Sequence, residues 1–178
     1  YLKRLLGNGN KVLIVSKPSY KCIKTICDSF GEYKDSILFR FTIGSTNSET
    51  LRFWEPNAPD YKERKKALIY AFKAGFQTSI SCEPMLDDRA DRVIDDLSSY
   101  VTDAIWLGKM NFAIRRLRTN GQLNIETQAA AERILQWQSD ENIKVLYKSY
   151  KDNPQIKWKE SIKKVVGIEV STIKGEDR

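Results

Sequence analysis

Short apolar segments alternate with amphipathic segments through the first two thirds of the chain. Residues 11–16 form a β-branched run after Gly-Asn-Gly-Asn, which predicts a buried strand that follows the end of a helix. In residues 19–33 the apolar positions recur at helical spacing, and Ser19 stands where an N-cap is expected. Together the two segments predict one strand–helix unit.

The same pattern recurs before Gly121. Further strands are predicted at residues 36–43, 77–82 and 103–110, and further helices at residues 60–74, with Asp60 as the cap, and 87–100. An insertion at residues 46–59 is predicted as a loop over the strand ends. A strand-to-strand spacing of roughly 25 to 40 residues is typical of βαβ units, so the chain is predicted to contain about four parallel strands. Right-handed crossovers build either an open sheet or a barrel, and the pattern leaves that choice open.

Beyond Gly121 the strand–helix rhythm stops. Residues 126–150 are apolar at helical spacing, with a break at Ser139-Asp140, and one more helix is predicted after Asn153-Pro154 to about residue 166. A short strand is predicted near residues 167–173. The sequence therefore predicts an α/β part at residues 1–121 and a helical C-terminal extension at residues 122–178.

The charge balance favours anionic partners only weakly. The chain has 30 Lys and Arg against 23 Asp and Glu, a net charge of +7. Acidic neighbours accompany the basic residues along the helices, so a solvated surface is the simpler interpretation. Arg115, Arg116 and Arg118 follow the fourth predicted strand and either meet phosphate or lie in solvent. No apolar segment reaches the roughly 20 residues of a membrane helix, and a cytoplasmic protein without a membrane partner is predicted.

Several chemistries are excluded by residue type. The chain has no histidine, which rules out a Ser-His-Asp triad and the histidine-based zinc motifs. Three cysteines in a chain without an export signal predict reduced thiols, and Cys22 and Cys27 lack a metal-type spacing. Acid–base chemistry would therefore fall to Lys, Glu, Asp, Tyr or Cys.

Polar side chains follow the predicted strands at their carboxyl ends, which is where α/β enzymes place their chemistry. The candidate binding residues at this edge are Ser16, Lys17, Thr42, Ser45, Glu83, Lys109 and Asn111. Each has a simpler interpretation as a residue that ends a strand or lies in solvent. Among them, Glu83 is the leading candidate for contact with a ligand.

Arg40 is a further candidate because it stands between Phe39 and Phe41 on the second predicted strand. An unpaired buried guanidinium costs several kcal/mol, so we expect a partner, either Glu83 or a carboxylate of a ligand. The aromatic segment at residues 53–56 is predicted either to contact a ligand or to pack as a hydrophobic plug.

Five blocks of the sequence stand in a fixed order between residues 11 and 121. They are Val-Leu-Ile-Val-Ser-Lys-Pro-Ser at 12–19, Leu-Phe-Arg-Phe-Thr-Ile-Gly-Ser at 38–45, Phe-Trp-Glu-Pro-Asn-Ala-Pro at 53–59, Gly-Phe-Gln-Thr-Ser-Ile-Ser-Cys-Glu-Pro-Met-Leu at 75–86 and Ile-Trp-Leu-Gly-Lys-Met-Asn at 105–111. Together these blocks resemble radical S-adenosylmethionine (radical SAM) proteins of the spore-photoproduct-lyase-like group.

The resemblance implies a partial TIM-type (βα) barrel whose third to sixth strands lie here, with the first two strands upstream of Tyr1. It also implies S-adenosylmethionine and a 4Fe-4S cluster as cofactors of the parent protein, with Arg40 and the strand-end residues near the S-adenosylmethionine. The chain departs from the family because it lacks the Cys-x-x-x-Cys-x-x-Cys motif and the Gly-Gly-Glu segment.

The departure leads to the expectation that this chain is the substrate-side half of such an enzyme. Alone it is expected to bind neither cofactor and to be inactive. Its expected partners are the missing N-terminal half, an unidentified small-molecule or nucleic-acid substrate, and a second copy through exposed strand edges.

Two alternatives stay open at this point. In the first, the chain is a Schiff-base lyase in which Lys109 attacks a carbonyl and Glu83 transfers protons. In the second, it is a nucleic-acid-binding domain, which the net charge and the scattered aromatic residues favour.

Overall fold

Five parallel strands form one sheet in the computed structural model, which describes residues 1–172. The strands are β1 (Val12–Ser16), β2 (Ile37–Thr42), β3 (Gln77–Cys82), β4 (Ile105–Leu107) and β5 (Ile156–Trp158). They lie side by side in the order β1-β2-β3-β4-β5, and every neighbouring pair is parallel. The predicted α/β class with a parallel sheet is confirmed, and the first four strands fall within the predicted segments.

Helices connect the strands and extend beyond them. They are α1 (Leu2–Gly7), α2 (Tyr20–Ser29), α3 (Ser48–Trp54), α4 (Tyr61–Lys73), α5 (Ala90–Leu97), α6 (Ala113–Thr119), α7 (Ile125–Trp137), α8 (Asp140–Tyr150) and α9 (Glu160–Val166), with 3-10 turns at Gly31–Ser36 and Ser98–Tyr100. The Asp60 carboxylate accepts a hydrogen bond from the Glu63 N–H at 2.9 Å, which confirms the predicted cap of α4. Ser19 occupies the N-cap of α2, but its hydroxyl makes no capping hydrogen bond.

The insertion between β2 and α4 is not a plain loop as predicted, because it contains α3. Asn47 caps this helix, since its side-chain oxygen accepts hydrogen bonds from the backbone N–H groups of Glu49 and Thr50. Leu51 is buried on its inner side. Phe53 and Trp54 therefore belong to the last turn of a helix rather than to an irregular segment.

The predicted helical C-terminal extension also contains a strand that the sequence did not indicate, because β5 lies within it. Ile156 pairs with Ile105 and Trp158 with Leu107, so residues after 121 complete the same sheet. A strand of three residues is too short to give a periodic signal in the sequence. The strand predicted near residues 167–173 does not form in residues 167–172, and Ile173 lies outside the described residues.

Strand register sorts the side chains onto two faces, because paired residues of parallel neighbours point to the same side. Phe39, Phe41, Ile80 and Ile105 share one face and are completely buried. Side chains of α2, α4, α5, α8 and α9 pack against them in the main hydrophobic cluster. This helix-covered face holds the core of the protein.

The second face of the sheet has a different composition. Its members are Leu13, Val15, Leu38, Arg40, Thr42, Gln77, Ser79, Ser81, Trp106 and Lys157. Neither hydrophobic cluster of the described residues includes a side chain from this face. Leu13 and Val15 are 47% and 57% exposed on edge strand β1. A parallel sheet is normally covered on both faces, so this one is incompletely covered for its type.

A smaller hydrophobic cluster lies beyond the carboxyl ends of β3 and β4. It joins α3, α6 and α7 through Leu51, Leu86, Met110, Ala113, Ala131 and Ile134. The buried Gln138 ties the strand ends together, because its Nε2 donates to the Met85 carbonyl at 2.9 Å and its Oε1 accepts from the Met110 N–H at 2.6 Å. The C-terminal helices therefore hold the segments that follow β3 and β4.

Candidate functional site

Arg40 lies on the second face and is held by three neighbouring residues. Its Nε donates to Ser79 Oγ at 3.2 Å, and its Nη2 lies 3.5 Å from Asp103 Oδ2. Its guanidinium carbon also lies 4.9 Å from the centre of the Trp106 ring. The expected pairing with Glu83 is therefore wrong, because Asp103, just before β4, supplies the carboxylate. Planar stacking on an aromatic ring is a common arrangement for arginine and stabilises its charge.

Trp106 lies next to two cationic side chains on this face. The Lys159 Nζ lies 4.8 Å from its ring centre, so two cations approach one indole. The indole Nε1–H is buried and has no hydrogen-bond partner among the described residues. An unpaired buried donor costs about 1–3 kcal/mol, and such a group in a native structure often marks the place of a ligand or a water.

Glu83 lies where β3 ends, at a close approach between two strands. Its Oε2 is 3.8 Å from the Lys159 Nζ, and its side chain packs against Gly108 at the end of β4. A Cβ on Gly108 would lie 2.8 Å from the Glu83 Cγ, so glycine makes room for the carboxylate side chain. Glu83 thus faces Lys159, the lysine that also approaches Trp106. Glu83 was predicted as a site residue, whereas the sequence did not indicate Lys159.

Lys109 and Asn111 follow β4 but do not join Glu83. The Lys109 Nζ pairs with Asp140 Oδ1 at 3.3 Å, and its backbone N–H donates to Ser161 Oγ at 3.0 Å. Asn111 is exposed. The lysine that lies beside the Glu83 carboxylate is Lys159, so the geometry does not bring together the Lys109 and Glu83 pair that a Schiff-base mechanism would use.

The three predicted hydroxyl residues have three different environments. Ser16 is in register with Phe41 and so faces the helices, where its Oγ is buried without a hydrogen-bond partner among the described residues. Ser45 is buried; its Oγ donates to the Asp87 carboxylate and accepts from the Asn47 N–H at 2.8 Å. Only Thr42, in register with Ser81, points to the second face near the strand ends.

Lys17 belongs to an ionic network that the sequence did not indicate. Its Nζ lies 3.5 Å from Glu55 Oε1, and the Glu55 Oε2 lies 2.7 Å from Arg64 Nη1. Arg64 is completely buried; its Nε donates to the Pro59 carbonyl at 2.7 Å and its Nη1 to the Thr42 carbonyl at 3.1 Å. The network fastens the segment after β2 to the sheet, which is a structural role for Lys17.

A second polar surface surrounds α6. Phe112 caps this helix with φ of 57° and is 70% exposed. It lines a shallow cavity of about 300 Å³ with Arg115, Arg116, Thr119 and Asn120. Arg115, Arg116 and Arg118 are all exposed, and none of them forms an ion pair within residues 1–172.

The thiols are dispersed. Cys22 is exposed on α2, whereas Cys27 and Cys82 are buried. Burial raises the pKa of Cys27 to about 11 and also raises the pKa of Cys82. Within the described part of the chain, no group of three or more His, Cys, Asp or Glu side chains is arranged to hold a metal ion. No helix of residues 1–172 is long and apolar enough to cross a membrane.

Comparison with family models, with curated proteins and with solved structures finds no match to this chain. The geometry of the second face and of the strand ends is therefore the basis for any statement about function.

Proposed function

We propose that this chain is the substrate-side half of a radical SAM enzyme, built as part of a TIM-type barrel. The observation that carries the proposal is a parallel sheet whose strands follow chain order and whose second face bears polar, incompletely covered side chains. Right-handed crossovers between strands in sequential order place the helices on one side, and continued addition of such units closes a barrel. The second face would then be the barrel interior.

The residues present do not fit a 4Fe-4S cluster. Cys22 and Cys27 lie on α2 and Cys82 on β3, two of the three are buried, and they form no common site. Cluster iron requires thiolates that converge on one point. In this proposal the cluster ligands therefore belong to an upstream half, and the chain alone carries out no step of the reaction.

The second face does fit two parts of S-adenosylmethionine, the carboxylate of its amino-acid end and the hydroxyls of its ribose. Arg40 and the unpaired Trp106 Nε1–H are donors suited to a carboxylate, and Glu83 at the strand end is an acceptor suited to a hydroxyl. When bound, S-adenosylmethionine supplies the carbon radical of the family's chemistry. In this proposal the groups of this chain bind and orient that cofactor, and Asp103 and Ser79 hold Arg40 in place.

The gene upstream of Tyr1 gives the first test. We expect it to encode two further strand–helix units and a Cys-x-x-x-Cys-x-x-Cys loop. An upstream sequence without three closely spaced cysteines would refute the proposal. As a second test, this chain incubated with iron, sulfide and a reductant should not develop the visible absorbance of an iron–sulfur cluster.

The residue roles can be tested in the protein that includes the upstream half. Replacing Trp106 by Phe keeps an aromatic ring and removes the N–H, and we expect the Kd for S-adenosylmethionine to rise about 10- to 100-fold, the range for one hydrogen bond to a charged group. The cluster spectrum should stay unchanged. Arg52→Gln, at an exposed position of α3, is the matched control. Unchanged binding in the Trp106 variant would contradict the assigned role.

A second candidate function is binding of single-stranded nucleic acid, and Phe112 is the observation that favours it. An exposed aromatic ring beside Arg115 and Arg116 offers a stacking surface next to charges that attract phosphate. Fluorescence anisotropy with a labelled oligonucleotide tests it: Phe112→Ala should weaken binding about tenfold, and each Arg→Gln change should lower the salt slope by about 1. Phe53→Leu, another exposed aromatic position, is the control. No measurable binding at low salt would exclude this function.

A further inference from the structure

An open cleft of about 430 Å³ lies between α3 and α7, and its lining includes none of the residues discussed for S-adenosylmethionine. One wall is formed by residues of α3 and the other by residues of α7, with one leucine between them. The lining residues are Glu49, Thr50, Phe53, Trp54, Leu86, Glu126, Ala130 and Arg133. A volume of this size is typical of a site for a small molecule.

Two aromatic rings form the first recognition element of the cleft. Phe53 and Trp54 are adjacent on α3, and their ring centres lie 5.0 Å apart with an angle of 87° between the planes. In this edge-to-face arrangement the faces of the two rings, which carry partial negative charge, point in different directions. Trp54 is packed against the smaller hydrophobic cluster, whereas Phe53 is exposed, so one ring is fixed and the other is accessible.

Carboxylates form the second recognition element. Glu49 and Glu126 face the cleft from opposite walls, and both are exposed. Neither forms an ion pair within residues 1–172. With Arg133 as the single cation, the lining has two negative charges and one positive charge, or a net charge of −1. The chain as a whole has a net charge of +7, so the cleft differs in sign from the protein around it.

We propose that this cleft binds an organic cation with an apolar body, such as a substituted ammonium ion. Aromatic faces attract a cation of this kind more than a neutral molecule of the same shape, and the two carboxylates add to that preference. Leu86 and Ala130 offer an apolar surface to its hydrocarbon part. An anionic ligand would meet two like charges and a single opposite one. This proposal does not depend on the proposed radical SAM function, and the two can be tested separately.

Choline and its uncharged isostere 3,3-dimethylbutan-1-ol are the probes for the test. Both are titrated into the ¹⁵N-labelled chain at fixed ionic strength, and the amide shifts of Thr50 and Ala130 report binding in the cleft. We expect choline to bind about 2- to 30-fold more tightly than the alcohol, the range of a cation–π contact between exposed and desolvated sites. Equal affinity for the two probes, or shifts confined to other regions, would overturn the proposal.

Charge variants give a second measurement that a general loss of structure cannot imitate. Glu126→Gln should weaken choline binding, whereas Arg133→Gln should strengthen it, each by about 2- to 5-fold for an exposed charge near the ligand. Both positions are exposed on α7, so both variants are expected to fold, which circular dichroism checks. Changes in the same direction for the two variants would contradict the proposal. Arg52→Gln, on α3 but not part of the cleft lining, should leave the affinity for choline unchanged.

Discussion

Replacing Arg64 gives the sharpest test of how the strand ends are held. Arg64 is 0% exposed, and its guanidinium reaches two backbone carbonyls, those of Pro59 and Thr42, and the Glu55 carboxylate. Arg64→Met keeps most of the side-chain volume but removes every polar contact. The two carbonyls then lose a buried donor, and the Glu55 carboxylate, whose side chain is 12% exposed, keeps Lys17 as its cationic neighbour.

The magnitude follows from these contacts. Removing one partner of a buried ion pair typically costs 3–5 kcal/mol, on the order of the sum of two charged hydrogen bonds. Lys17 stays 3.5 Å from Glu55 and offsets part of the loss, so we expect a decrease of about 3 kcal/mol in the free energy of unfolding. For a chain of this size that corresponds to a fall in Tm on the order of 10 °C.

Urea denaturation followed by circular dichroism measures the effect. Arg52→Met, at an exposed position in α3, is the matched control and should stay within about 0.5 kcal/mol of the parent protein. Adding Glu55→Gln to Arg64→Met should cost less than the sum of the two single changes, by about 1–3 kcal/mol, because the residues form one ion pair. A loss below about 1 kcal/mol in Arg64→Met, or additive single changes, would refute the reasoning.

Four further outcomes follow from the packing. At pH 8, Ellman's reagent should label only Cys22 quickly in the native chain, because Cys22 is exposed whereas Cys27 and Cys82 are buried and burial raises the pKa of Cys27 to about 11. Rapid labelling of a second thiol would contradict this. The raised pKa also means that the Cys27 contribution to stability is present below about pH 8.5 and is lost as the pH rises toward about 11. Gly44→Ala should cost about 1–3 kcal/mol in urea denaturation, since its Cβ would lie 2.5 Å from a backbone oxygen, while Gly31→Ala, in open space, should be near neutral. Gln138→Leu should cost about 2–4 kcal/mol by the same assay because it leaves a buried N–H and a buried carbonyl unpaired, and a loss below about 1 kcal/mol would show that the two groups have other partners.

Much of the sheet could be predicted because its first strands carry a local signal. β1 and β2 lie within the β-branched or apolar runs that predicted them, and Asp60 marks the start of α4 in the sequence and in the structure. Each of these features depends on residues within one turn or one strand. Local chemistry is what a single sequence expresses most directly.

The strand β5 and the partners of the charged residues could not be predicted because they depend on contacts between distant segments. Ile156–Trp158 is a strand only because β4 offers it a parallel edge. The alternation around Arg40 indicated a charge on one face of a strand, but its partner, Asp103, lies 63 residues away. In the sequence, Arg64 is one of several basic residues in a charged helix. It becomes the centre of a buried network only because the segment after β2 folds around it.

The sequential order of the five strands also bears on how the chain can fold during synthesis. Each of β2 to β5 pairs with the strand that is synthesised just before it, and within residues 1–172 no later strand is inserted between two earlier ones. Domains that grow in this way can acquire structure from the amino terminus onward while translation continues. Truncated nascent chains that end after β3 are therefore expected to contain the β1–β2–β3 pairing already in place.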